Sequence, residues 1–205
     1  MQARRTAIYL ILTVLVLSGG LRPGALASPF AAQGNTEQRL VARARQVTGD
    51  DFPISTRTPR GARVFARLEP RAEVLRAIDG GLTELFSIAR RHGYVARLNY
   101  TDYTIFIARA DRTRDSSGAY SPDIAVGAGQ YAGSGYDQGG YIYAAGMVLA
   151  FNPCVFVVAE HERDVARIAN VVRYEGEHLV LYHNDRRLYE KTADHSRGGG
   201  HPILQ

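Results

Sequence analysis

Apolar side chains recur at three-to-four spacing over residues 70–92. Val74, Leu75, Ile78, Leu82, Leu85 and Phe86 fall on one stripe, which predicts a helix with a single buried face. Pro70 suits its first turn and Gly93 the left-handed residue past its end. Gly80-Gly81 weakens the middle and leaves room for another backbone to approach. The period then changes. Residues 103–110 (YTIFIARA) are too few and too β-branched for a buried helix, so they predict a strand. Two further apolar runs, 141–151 and 154–159, flank the turn pair Asn152-Pro153; these read as sheet strands, most simply a hairpin. Val165, Ile168, Val172, Leu179 and Tyr182 predict a second helix over about 162–183. Beyond Asn170, Gly176 interrupts it among β-branched and aromatic residues, which leaves a hairpin open as the alternative. A shorter helix over 186–195 follows Asn184-Asp185.

The order of helix, strands, helix and short helix implies an α+β domain over 61–205, with a small central β-sheet packed by two main helices. Residues 28–60 carry Ala, Arg, Thr and Pro with few large apolar groups, and predict a flexible lead-in with at most a short helix over 36–47. Residues 111–123 read as a polar loop. Residues 127–140 form a Gly- and Tyr-rich stretch holding Tyr131 and Tyr136.

The first 27 residues carry a different pattern. Arg4 and Arg5 precede an apolar run over 6–17, and Ala25-Leu26-Ala27 supplies the small-x-small signal for cleavage before Ser28. That run is about a dozen residues, short of the roughly 20 that span a bilayer. A secretory signal peptide is therefore expected, with a secreted or periplasmic mature chain; an uncleaved anchor is the alternative. Residues 1–27 hold three arginines and no acid, so cleavage takes the formal charge from +5 to +2. A chain at that charge offers no electrostatic case for nucleic acid. With no second long apolar segment, no membrane association is expected after cleavage. Cys154 is the single cysteine, which excludes an intramolecular disulfide despite an oxidising destination.

On a helical wheel at about 100° per residue, Glu175 fills the gap in the second stripe between Val172 and Leu179. A carboxylate facing the interior is costly unless it is paired, hydrogen-bonded or on a metal. Tyr174 and His178 lie about 40° apart on that wheel, and Glu175 and His178 about 60°. The three converge if the segment is helical. In a strand, Glu175 and His178 would point to opposite faces. His183 lies about 140° round from His178 and roughly 7.5 Å further along. It reaches the same ion only if the helix ends or bends near Asn184-Asp185. His195 and His201 lie beyond a turn and can fold back, as can Glu190 and Asp194. The plainer alternative pairs Glu175 with an arginine of the first helix and leaves His201 in a flexible glycine tail.

The run Tyr174-Glu175-Gly176-Glu177-His178 resembles the HExxH helix motif of zincin metallopeptidases, with tyrosine at the first histidine's place. The resemblance implies zinc as cofactor, His178 as a ligand and Glu175 as the general base that activates water. Tyr174 would occupy the missing ligand's position, where a neutral phenol is a poor donor to zinc. The order of elements over 70–195 also resembles a minimal zincin, but the motif itself spans only five residues. The expectation is a secreted zinc-binding domain acting on peptide-like substrates. His183, His195 or His201 would complete the shell, and the Gly/Tyr-rich stretch would border the cleft. The competing expectation is a non-catalytic secreted domain, binding an extracellular ligand or purely structural, whose His and Glu side chains form a buried hydrogen-bond network.

Other candidates change the picture little. Cys154 sits between Pro153 and an apolar run, the setting of an inert buried thiol. Ser121 and Ser134 lack a nucleophile elbow. The glycine-rich stretch lacks the lysine and strand-to-helix setting of a phosphate loop. His161 reads as marking the start of the second helix. A di-iron ExxH arrangement would need further helices carrying the same pair.

Overall fold

The computed structural model describes residues 29–111, 123–127, 141–161, 164–195 and 198–205. The expected signal peptide, most of the 111–123 loop with Ser121, and most of the Gly/Tyr-rich stretch with Tyr131, Ser134 and Tyr136 lie outside them.

Two apolar runs organise the sheet. β3 (Tyr103–Ala108) and β7 (Cys154–Ala159) are buried at all six positions, the pattern of strands covered on both faces. They pair in parallel, and β2 (Arg63–Ala66) joins β3 in parallel on the other side. Antiparallel strands close both edges, β1 (Ile54–Arg57) beside β2 and β6 (Gly146–Ala150) beside β7. The sheet order is β1-β2-β3-β7-β6. The run over 141–151 divides: β6 forms the expected hairpin with β7 through Asn152-Pro153, while β5 (Tyr141–Ala144) pairs antiparallel with β4 (Ile124–Gly127) in a second small sheet.

Register places successive side chains on opposite faces. Val64, Ile105 and Phe156 align across the parallel strands and face α2 (Ala72–Arg91) and α3 (Val165–Asn184). Phe65, Phe106 and Val157 align on the opposite face. There they meet Ala44 and Val47 of α1 (Pro29–Thr48), Phe52, and Ile124 and Val126 of β4. Phe106 lies 5.0 Å from the rings of both Phe52 and Phe65. The molecule is thus α+β, with helices α2 and α3 on one face of a mixed sheet.

Residues 28–60 contribute more than a flexible lead-in. They supply a 20-residue helix and an edge strand, because Ala44, Val47 and Phe52 are the apolar groups that cover the second face of the sheet. Helices α2 and α3 approach closely. A Cβ at Gly81 would collide with the carbonyl oxygen of Ala169, and one at Gly176 would lie 2.5 Å from Leu85 Cδ2. Gly81 thus meets the backbone approach its sequence suggested. Between the helices and the sheet, Ile78, Leu82, Leu85, Phe86, Ile168 and Leu179 are fully buried, each contributing about 1.5–3 kcal/mol of transfer free energy. Among the described residues, no helix is long and apolar enough to cross a membrane.

Candidate metal centre

Helix α3 runs unbroken through Gly176. Asp164 caps its start by accepting from Arg167 N at 3.0 Å. At the far end Asn184 Oδ1 accepts from the backbone N–H groups of Val95 and Ala96, while its Nδ2 donates to the Ala96 and Val180 carbonyls. Asp185 then caps the short helix α4 (Arg186–Thr192), accepting from Leu188 N at 2.9 Å. The chain reverses after α4. Gly199 and Gly200 donate to the carbonyls of Asp194 and Thr192, both at 3.0 Å. Gly198 has φ +79°, and a Cβ at Gly199 would collide with the Thr192 carbonyl. The glycine run read as a tail is therefore a tight reversal. It returns the last residues to the middle of α3, where Ile203 is buried.

The reversal gathers three imidazoles. His178 on α3, His195 after α4 and His201 on the returning segment place one ligand nitrogen each within 4.8 Å of one another. Their ring centroids are separated by 5.2 Å (178–195), 4.9 Å (178–201) and 4.8 Å (195–201). His178 is half-buried and its Nδ1 is enclosed without a hydrogen-bond partner. Burial, then the neighbouring His201 and His195, pulls its pKa down to about 3. Burial and His201 lower His195 as well. His178 and His195 are thereby held toward the neutral imidazole form, the form a metal ion requires.

Glu177 completes the arrangement. It is 0 % exposed, and both its oxygens are engaged. Oε2 lies 2.8 Å from His201 Nδ1, and Oε1 accepts from the Ile203 backbone N–H at 2.8 Å. With Nδ1–H donating to the carboxylate, a neutral His201 ring carries its free lone pair on Nε2. This is the usual outer partner of a metal-bound histidine, fixing its tautomer and raising its basicity.

Tyr174 and His178 do converge, with His201 as the meeting point: the Tyr174 ring stacks on His201 at 4.6 Å and 25°. Glu175 lies on the adjoining stripe, against β6, where its Cγ occupies the space a Gly146 side chain would need. Among the described residues no hydrogen bond, ion pair or ring contact joins it to the histidines. Burial pushes its carboxyl up to about 8. Among the described residues no ion pair joins it to an arginine of α2, the first helix predicted from the sequence; Arg173 of its own helix bonds Glu84 of α2 at 2.8 Å. His183 stands apart because α3 continues straight through it; its Nε2 lies 2.7 Å from the Phe151 carbonyl oxygen. Of the four predicted ligand histidines, the structure brings together 178, 195 and 201.

No family model, curated protein or solved structure matches this chain.

Sequence reasoning missed Glu177. A signal was present: from Leu179 to Tyr182 apolar residues occupy every side of α3, which marks a helix end buried all round. A carboxylate one turn earlier then needs partners of its own. The missing piece was the returning segment, whose course depends on the glycine reversal.

A cleft of about 380 Å³ lies elsewhere. It sits at the carboxyl ends of β2, β3 and β7 and is lined by Arg67, Glu69, Arg71, Val74, Glu160 and His161 among others. It contains none of the three clustered histidines, and its charges are of mixed sign. The donor chemistry, not the size of the concavity, singles out the imidazole cluster. Cys154 is fully buried and its thiol is pushed up to about 12 by burial, so it is no nucleophile at neutral pH.

Proposed function

We propose that this chain is an exported metal-binding domain whose ion, zinc in the first instance, is held by His178, His195 and His201, and that it hydrolyses peptide-like substrates at that ion. The observation that carries the reading is the convergence of three imidazole nitrogens within 4.8 Å. An all-imidazole donor set favours zinc and its late transition-metal neighbours over calcium or magnesium. A tetrahedral zinc site with bonds of about 2.05 Å has nitrogen–nitrogen edges of roughly 3.3 Å, so the rings draw together by at most about 1.5 Å on binding. Three protein ligands leave one position for water, and zinc lowers the pKa of such a water to about 7. Within this reading Glu177 orients His201, and Tyr174 covers the face of the same ring. Glu175, the base implied by the zincin resemblance, packs against Gly146 away from the ring contacts, so hydrolysis here does not draw on that motif's glutamate.

A second reading is supported by the double engagement of Glu177: a non-catalytic domain in which the Glu177–His201–Ile203 network simply anchors the chain. Peptide hydrolysis assayed with and without chelator, followed by zinc add-back, distinguishes the two. Chelator-sensitive, zinc-restored cleavage supports the enzyme. Bound ion without cleavage reduces the proposal to a structural metal site. A metal-free protein, unchanged by chelator, supports the network alone.

A further inference from the structure

The imidazole cluster is not built from one rigid element. His178 belongs to a 20-residue helix with a fully buried face, whereas His201 arrives on residues 198–205, the last segment of the chain. That segment forms no helix or strand. Its base is fixed by backbone bonds from Gly198, Gly199 and Gly200 to the carbonyls of His195, Asp194 and Thr192. Beyond that, residues 201–205 are held by the Glu177 carboxylate, the buried Ile203, the Tyr174–His201 stack and a turn bond from Leu204 N to the His201 carbonyl at 3.2 Å. An ion bound by His178 and His201 together would tie this segment to α3.

We infer that residues 198–205 are a clasp that metal binding locks against α3, with Glu177 as the positioning residue that sets both the clasp and the ligand nitrogen of His201. The inference rests on the metal-binding reading above. Its physical basis is reciprocity: if the ion binds only when the segment is docked, docking and binding strengthen each other by the same factor. Glu177 occupies the pivot because one side chain serves both events. Its Oε1 holds the segment through the Ile203 N–H, and its Oε2 holds the His201 ring with Nε2 free. A fully buried carboxylate needs such partners, since it would otherwise carry a large desolvation cost. The device also supplies an entry route. With the segment released, His178 is uncovered and an ion can arrive; re-docking then brings in His201.

Glu177→Gln separates positioning from simple packing. The glutamine keeps the shape and can still accept from Ile203 N through its carbonyl oxygen. Its NH₂ group must donate to His201 Nδ1, which moves the imidazole proton to Nε2 and blocks the ligand lone pair. Zinc affinity, measured by chelator competition, is expected to fall about 10–100-fold. The second measurement is amide hydrogen exchange of residues 198–205 in the full chain, with and without zinc. Zinc is expected to slow exchange there in the wild type, and to leave it unchanged in His178→Ala, whose substitution lies outside the clasp. If zinc binds but exchange in the segment does not slow, or if E177Q binds zinc as tightly as the wild type, the clasp is overturned and the metal site stands. If the wild type binds no zinc at all, both fall.

Discussion

Gly176 sits inside the five-residue run that resembles a peptidase motif, yet its contacts are those of a packing residue. A Cβ there would lie 2.5 Å from Leu85 Cδ2, 3.9 Å from Leu85 Cγ and 4.0 Å from Leu82 Cδ2. In Gly176→Ala two terms oppose. Alanine gains about 1 kcal/mol of helix propensity, while forcing a methyl group into a filled core costs about 1–3 kcal/mol. Leu85 is fully buried and cannot swing aside freely, so the net effect is a destabilisation of about 0–2 kcal/mol. Leu85→Ala alone should cost about 3–4 kcal/mol through lost burial and the cavity left behind. The same cavity then receives the new methyl group. In the Leu85→Ala background, Gly176→Ala should therefore stabilise by about 1 kcal/mol, a reversal of sign and a coupling of about 1–3 kcal/mol. Urea titrations of the four proteins measure it. An identical cost for Gly176→Ala in both backgrounds would show that Leu85 does not fill the space over Gly176, and the α2–α3 packing described here would be wrong.

Two further expectations follow from titratable groups, Glu175 half-buried and Cys154 fully buried. The Glu175 carboxyl is raised from about 4.5 to about 8 by burial, so between those values the unfolded chain releases a proton that the folded chain keeps. Stability must fall as pH rises through that window. Glu175→Gln should remove that contribution, matching the wild type near pH 4.5 and exceeding it at pH 8 by on the order of 1–3 kcal/mol, the half-buried carboxyl being partly screened by solvent; a difference that does not change with pH would refute the raised pKa of that carboxyl. Cys154, with its thiol pushed up to about 12, should react with a thiol reagent at pH 8 at least ~10³-fold more slowly in the native protein than in urea. Comparable rates in the two states would place the thiol at the surface.

What the sequence made legible is what depends on local period. The stripe from Val74 to Phe86 specified α2, and the short apolar runs of β3 and β7 marked strands; that both are covered on two faces emerged from the structure. The second helix was legible in its first half; Gly176 obscured the rest, because a glycine demanded by Leu85 looks in sequence like a break. Parallel pairing of β2, β3 and β7 was not legible, since strand order depends on contacts between distant segments. Nor was the role of residues 28–60. Ala44, Val47 and Phe52 are too sparse to announce themselves until the second face of the sheet needs covering. The site was half legible. Tyr174 and His178 could be placed on one face by spacing, and His195 and His201 were within reach of a returning chain. Choosing among the histidines required the course of the chain after α4. Glu175 and Glu177, two residues apart, differ in role only because the returning segment covers one of them.

Metal analysis of the purified protein tests the central claim most directly. Zinc per chain should be about one in the wild type. It should be lost in His178→Ala and His201→Ala and retained in His183→Ala, whose side chain bonds the Phe151 carbonyl instead. A folded wild-type protein that takes up no metal, or one whose zinc survives both His178→Ala and His201→Ala, would contradict the account.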